Sequence, residues 1–234
     1  MAIIRLDNEE RRRRIVEAAM PLFARKGFAG TTTKEIAEAA SVSEALVFKH
    51  FPSKAALYAA IVRMGCLGEP ELECLSQLTP STASLVAMMH YMLQHLCEAS
   101  ADRQTRHRLM LNSFLDDGEY CQLVCDTVVA QVYPKFAECI EAARAAGDLK
   151  GAPIATENRF WFAQHVAAMM AFARLPAGGT VPYSGDMQTV IAEATNFILR
   201  GLGLTDEAIA AGLAQLAEYH SEAMETMAEE KSLA

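Results

Sequence analysis

Helix breakers are scarce in this chain. Glycine and proline together account for 21 of 234 residues, whereas alanine occurs 41 times; average usage of the two breakers is ~12%. That balance favours a mainly α-helical fold. Long apolar runs are missing as well. None exceeds eight residues, as from Val166 to Ala173, far short of the ~18 that a membrane span requires. No stretch alternates apolar and polar residues with the period of a half-buried strand, and no unit of about 20–50 residues repeats, which excludes a solenoid. Charged residues are only 21% and hydrophobic ones 52%, too apolar a mixture for a disordered chain. Six cysteines (66, 74, 97, 121, 125 and 139) show no CxxC spacing. Met1–Ile4 runs straight into Arg5 and Asp7, leaving no room for the apolar part of a secretory signal. A soluble cytoplasmic protein with free thiols, no membrane partner, no metal and no cofactor is therefore expected.

Charge is unevenly placed. The net charge is −8, which taken alone argues against a polyanionic partner. Residues 1–64 nevertheless carry 11 Lys/Arg against 7 Asp/Glu, and residues 65–234 carry 10 against 22. A basic head precedes an acidic body, and local positive charge of this kind is what nucleic acid attracts.

The head reads as short helices with clear punctuation. Asp7 or Asn8 caps the first, whose apolar residues Ile15, Ala18, Ala19, Leu22 and Phe23 recur at helical spacing until Gly27. Pro21 is expected to kink it. Thr32-Thr33-Lys34-Glu35 is a capping box opening a second helix to about Ala40. Ser41-Val42-Ser43 makes a tight turn, Ser43 caps a third helix from Glu44 to Phe51, and Ser53 caps a fourth that ends near Gly65, Gly68 and Pro70. Two short helices joined by three residues have the proportions of a helix-turn-helix. In the body, helices are predicted at 81–100, 102–116, 118–146, 156–174, 184–202 and 205–230, with a break at Asp117-Gly118 and a kink or split at Pro134. The last, capped by Thr205, is acidic, with Ile209, Leu213, Leu216 and Tyr219 as its apolar stripe.

The string Gly27-Phe28-x-x-Thr31-Thr32-Thr33-x-x-Ile36-Ala37-x-x-Ala40-x-Val42-Ser43, followed by Phe48-x-x-Phe51-Pro52-Ser53-Lys54-x-x-Leu57, resembles the N-terminal domain of the TetR family of transcriptional repressors. The resemblance covers roughly residues 10–64; the body shares only helix number, helix lengths and the Arg200-Gly201-Leu202 helix ending. It implies an all-α protein with a helix-turn-helix head, residues 1–53, and a helical-bundle effector and dimerisation body, residues 54–234. By position it makes Thr33, Lys34, Phe48, Lys49, His50 and Lys54 the residues that grip phosphate, with Ser43 at the start of the third helix. Glu44, Ala45 and Leu46 would face bases, where phosphate contacts set affinity and base-edge contacts carry sequence information. Three positions depart from the family pattern: Phe48 stands where Tyr is usual, Ala45 where Gly is frequent and Leu46 where Thr is frequent. Phe48 thus loses a hydroxyl that bonds phosphate, and Leu46 offers only apolar contact, for instance to a thymine methyl. Glu44 could accept from cytosine N4 or simply favour the helix N-terminus. Arg11 to Arg14 lie on the first helix, either near the DNA backbone or solvated.

The resemblance further implies a homodimer, a double-stranded DNA operator and a small-molecule effector. The helices at 156–174 and 184–202 are the candidates for dimerisation, through Phe160, Ala163, Ala167 and Ala171 with Ile191, Ala194, Ile198 and Leu202. Met88, Met92, Met110, Phe114, Tyr133, Phe136 and His165 are the candidate effector residues, since methionine adapts to varied apolar shapes; Asn112, Gln164 and His165 are candidate polar anchors. His90, His95, His107 and His165 are too scattered for a metal set. Cys121 and Cys125 share a helix face and read as buried thiols rather than a redox or metal pair. The leading reading is an effector-released repressor. A ligand-free dimerisation body is the alternative, and a helical enzyme is disfavoured because neither HExxH nor a nucleotide-binding glycine loop is present.

Overall fold

The computed structural model describes residues 8–66, 75–116, 118–151, 153–177 and 179–218. Its elements are α1 (Asn8–Gly30), α2 (Thr33–Ala40), α3 (Glu44–His50), α4 (Lys54–Cys66), α5 (Thr82–Cys97), α6 (Ala101–Leu115), α7 (Glu119–Ala145), α8 (Thr156–Phe172) and α9 (Met187–Leu202). A tenth helix, α10, occupies 206–218. The described residues contain no strand, only an antiparallel bridge between Leu149 and Leu204, so the all-α expectation holds. Asp7, Gly68, Pro70, Asp117 and Tyr219, and the expected extension of the last helix to about Glu230, lie outside the described residues, as does Cys74.

The helices sort into two compact units. One contains α1–α4, α6 and α7 as far as Ala130; the other contains α5, α7 from Gln131, and α8–α10. In the first, α1 buries Ile15, Ala19, Leu22 and Phe23 against Ile36 and Ala37 of α2, Val47 and Phe51 at α3, and Leu57, Tyr58 and Ile61 of α4. Leu109 of α6 and Tyr120 of α7 complete this core. An aromatic chain runs through it. Phe28 and Phe23 pack on Tyr58 with ring centroids 4.8 and 4.7 Å away, and Tyr58 meets Tyr120 at 5.5 Å. Each such pair adds ~0.5–1.5 kcal/mol beyond the area it buries.

Neither Pro21 nor Pro134 ends its helix. Pro21 keeps helical dihedrals, and the departure in α1 falls at Gly27, with φ 70° and ψ 179°, a left-handed backbone that favours glycine. The break leaves carbonyls of the preceding turn short of partners, and the Asn112 amide donates to one of them, Ala24 O, at 2.5 Å. Asn112 therefore secures α1. Pro134 does not split α7, which continues through it to Ala145.

In the second unit, α5 buries Leu85, Met88, Met89 and Leu93 and packs against α8 and α9. Gly212 lets α10 lie tight on α5: a Cβ there would come within 2.7 Å of Val86 Cγ2. The Asp148 carboxylate accepts from Thr82 Oγ1 at 2.6 Å, tying the start of α5 to the turn after α7.

His107, on α6, is buried, and burial followed by the positive charges of Arg103 and Arg106 pushes its pKa down to about 4. The unfolded chain therefore takes up this proton first, at its ordinary pKa near ~6.5. Stability from this group is full above that value and falls as pH drops through the interval toward 4. Urea unfolding between pH 7 and 5 is expected to show a falling midpoint that His107→Leu flattens. An unchanged pH slope in the variant would remove His107 as its source.

Candidate nucleic-acid interface

Local sequence builds the head. At α2, the Thr32 hydroxyl accepts from Glu35 N at 3.2 Å and the Glu35 carboxylate accepts from Thr32 N at 3.0 Å, the reciprocal bonding of a capping box. Lys26 and Thr32 hold the Glu35 carboxyl low, at about 2, the hydrogen bond from Lys26 at 2.5 Å being the largest cause. Ser41 closes α2 in a left-handed conformation (φ 54°), donating its N–H to Ala37 O and Glu38 O. Ser43 Oγ then accepts from Leu46 N at 3.2 Å and starts α3.

Helix α3 is anchored by very little. Val47 is its one buried residue, backed by Phe51 immediately after. Glu44, Ala45, Phe48 and Lys49 are exposed, and Leu46 and His50 are half-buried. The positions 44, 45, 48 and 49 follow helical spacing, so they form one continuous outward face. Ser43 and Lys34 are also exposed, at the starts of α3 and α2, and Thr33 is half-buried. Thr33 Oγ1 donates to Glu44 Oε1 at 2.5 Å, joining the first turns of the two helices.

Two basic residues do structural work that the sequence pattern does not display. The Lys54 ammonium lies 4.4 Å from the Phe28 ring centroid and donates to Phe28 O at 2.6 Å and Thr31 O at 3.2 Å. It closes the chain after the Gly27 break, and two of its three N–H bonds are thereby committed. Arg12 stacks 4.4 Å from the Phe51 ring centroid and donates to His50 O at 3.2 Å. Arg13 is paired with Glu10 and Glu17, Arg14 is exposed and Arg11 half-buried. The His50 Nε2 atom is buried without a hydrogen-bond partner. Its pKa is lowered by burial first, then by Arg12, Lys49 and Arg11. The result is an exposed, shallowly seated helix flanked by cations, the shape that a major groove accepts.

Residues 15–61 match the family model described as bacterial regulatory proteins, tetR family. Residues 15–61 therefore carry the N-terminal domain of that family. Over 50 residues it is 52% identical to the uncharacterized HTH-type transcriptional regulator YvkB of Bacillus subtilis, a match covering 21% of this chain and 26% of that one. It is 27% identical over 156 residues to the HTH-type transcriptional regulator AcrR of Shigella flexneri, covering 60% and 69%. The match to YvkB thus spans about a quarter of that relative's length. A crystal structure of a tetR-family regulatory protein from Rhodococcus RHA1 superposes with a TM-score of 0.63 at 22% identity, covering 84% of this chain and 99% of that one; at that identity the likeness is one of fold.

The expected effector residues are spread over both compact units. Met110 and Phe114 belong to one compact unit, and Met88, Met92, Tyr133, Phe136 and His165 to the other. Met88 and Phe136 are core, Met92 is half-buried, and Phe114 is 62% exposed. The Tyr133 hydroxyl donates to Glu157 at 2.8 Å, and exposed His165 stacks on Trp161. None of the seven lines the pocket between α8 and α9 or the cleft beside Thr82 and Asp148. Phe160, Ala163, Ala167, Ala171, Ile191, Ile198 and Leu202 are buried within the single chain, and Ala194 is half-buried. Their small side chains let α8 and α9 pack on their own neighbours. The apolar residues those helices leave outside are Phe162, Met169 and Phe197, all more than half exposed. Cys121 and Cys125 are free thiols. The Cys121 thiol donates to Met110 O at 3.2 Å, and burial raises Cys125. The described residues hold no cluster of three metal-ligating side chains and no helix long and apolar enough to cross a membrane.

Because Lys54 fastens the Gly27 break, Lys54→Met is expected to lower the stability of the folded chain by about 1.5–3 kcal/mol, the scale of a hydrogen-bonded charge. Lys49→Met, on the exposed face, should change it by less than about 0.5 kcal/mol. Urea unfolding of the two variants side by side decides: equal midpoints would mean that the Lys54 bonds contribute nothing.

Proposed function

We propose that the chain is a homodimeric transcriptional regulator, acting as a repressor in the cytoplasm, that binds a palindromic double-stranded DNA operator and releases it when a small, largely apolar effector occupies the body. In this reading residues 1–53 form the DNA-binding domain and residues 54–234 the ligand-binding and dimerisation domain. The observation that carries it is the outward face of α3, held from behind by Val47 and exposed at Glu44, Ala45, Phe48 and Lys49. Lys34, Lys49, His50, and the remaining N–H of Lys54 supply phosphate contacts from around that face. Leu46, Ala45 and Glu44 meet the base edges, with Glu44 oriented by Thr33. Arg12 contributes indirectly, by fixing the His50 carbonyl and Phe51 at the end of α3.

The dimer contact is assigned to Phe162, Met169 and Phe197. Phe162 and Met169 are seven residues apart on α8 and share a face, and leaving three large apolar groups in water is unfavourable by ~25 cal/mol per Å2. Buried small residues on the opposite sides of α8 and α9 support that face from within.

Two measurements test the proposal. In binding titrations at several salt concentrations, Lys49→Ala should weaken binding to every duplex and reduce the log–log salt slope by about 0.9 for one lost phosphate contact. Leu46→Ala should instead change which sequences are selected. The opposite assignment of effects would overturn the division of roles on α3. Separately, Phe197→Glu should give a monomer in sedimentation and bind operator poorly, because a carboxylate at an apolar contact loses its water without gaining a partner. A variant dimer as stable as the parent would remove α9 from the interface.

A further inference from the structure

The second compact unit contains a buried cation that no carboxylate among the described residues balances. Arg159, in the second turn of α8, is 4% exposed, and its Nε donates to Ile154 O at 3.1 Å. Its Nη1 is buried with no hydrogen-bond partner, and among the described residues no carboxylate pairs with it. The nearest acid in sequence, Glu157, is engaged with Tyr133, and the charged group that acts on Arg159 is another cation, Arg144. Arginine does not lose its proton inside proteins, so the charge persists. Its position near a helix N-terminus adds positive potential, and α8 has no side-chain cap to offset it. Gly203 makes room for the guanidinium, since a Cβ there would lie 3.2 Å from Nη1 and 2.6 Å from Lys150 O.

Arg159 lines a pocket of about 140 Å3 whose other walls include Phe162, Val166, Phe197, Ile198 and Leu202. An engineered apolar cavity of about 150 Å3 holds one benzene molecule. A polar, permanently charged donor at the edge of an apolar space of this size defines its complement: one anionic head and one ring or short chain.

We propose that this pocket binds a small monocarboxylate with an apolar aromatic or short aliphatic tail, the carboxylate accepting from the Arg159 guanidinium and the tail packing on Phe162, Val166 and Phe197. As the identification of an effector class, it rests on the effector reading given above. Phe162 and Phe197 also belong to the proposed dimer face, so an occupied pocket would act on the pairing of the two copies.

Benzoate and butyrate are the probes, benzamide is the neutral control, and thermal unfolding of the full chain without DNA is the readout. Either acid at 100-fold excess over its Kd should raise the Tm by about 5–10 °C, and benzamide should not. Arg159→Met should lose the response while its own Tm without ligand equals or exceeds that of the parent, because an unpaired buried charge has been removed. Val166→Phe, which keeps Arg159 and fills the pocket, should bind the acids at least tenfold more weakly by calorimetry, and it decides the matter if Arg159→Met does not fold. The proposal is overturned if neither acid exceeds benzamide on the parent, or if both variants bind as the parent does. It is equally overturned if the acids have no effect and Arg159→Met sediments as a monomer, since the anion is then a carboxylate of a second copy. Binding without any change in DNA affinity would preserve the site and remove only its effector role.

Discussion

A single ammonium group organises the end of α1. Gly27 takes the chain out of helical geometry one turn before α2 begins, and the Lys54 side chain, arriving from the start of α4, gathers the freed carbonyls of Phe28 and Thr31 while lying over the Phe28 ring. Phe28 in turn packs on Tyr58, one turn further along α4. Three elements that are distant in sequence are thereby held around one small polar and aromatic cluster. Hydrogen bonds to a charged donor are the stronger kind, and here they fix the frame within which α2 and α3 are placed.

That frame explains how α3 can be so lightly seated. A seven-residue helix is too short to be stable alone, and this one contributes only Val47 to the core. Its N-terminus is set by the Ser43 cap and by the Thr33–Glu44 hydrogen bond, and its C-terminus by Arg12 on His50 O and Phe51. Both ends being held, the middle can present an unburdened face. Positive charge accumulates on the same unit, where Arg12, Lys49 and Arg11 add to burial in depressing His50. The negative charge of the rest of the chain leaves the global pI at 5.3, so the property relevant to a polyanion is local.

The parts legible in the sequence are those decided by neighbours in the chain. The Thr32/Glu35 capping box, the Ser43 cap and the stop at Gly27 are all read from residues within one turn of one another, and all three are present. The errors arise where a distant partner decides. Ala163, Ala167 and Ala171 make a small-residue stripe that would suit either an intermolecular or an intramolecular helix contact, and only their burial in one chain settles which. The same holds for Asn112, whose amide could serve a ligand but serves Ala24 O, and for Met88 and Phe136, which are ordinary core. Lys54 is a further instance: its position in the motif suggests phosphate, while its geometry adds a bond to the backbone that no pattern of spacing reveals. Arg159, in contrast, carries no sequence signal at all, because an isolated arginine in an apolar helix becomes notable only when its lack of a partner is seen.

The central claim is that two copies read DNA through α3, and hydroxyl-radical footprinting tests it most directly. A duplex selected from random sequence by the purified protein would be bound and cleaved, and the protection mapped on both strands. Two protected patches related by a two-fold axis, with major-groove centres about one helical turn (~34 Å) or a multiple of it apart, are predicted. A single protected patch, or protection without two-fold symmetry, would contradict the account.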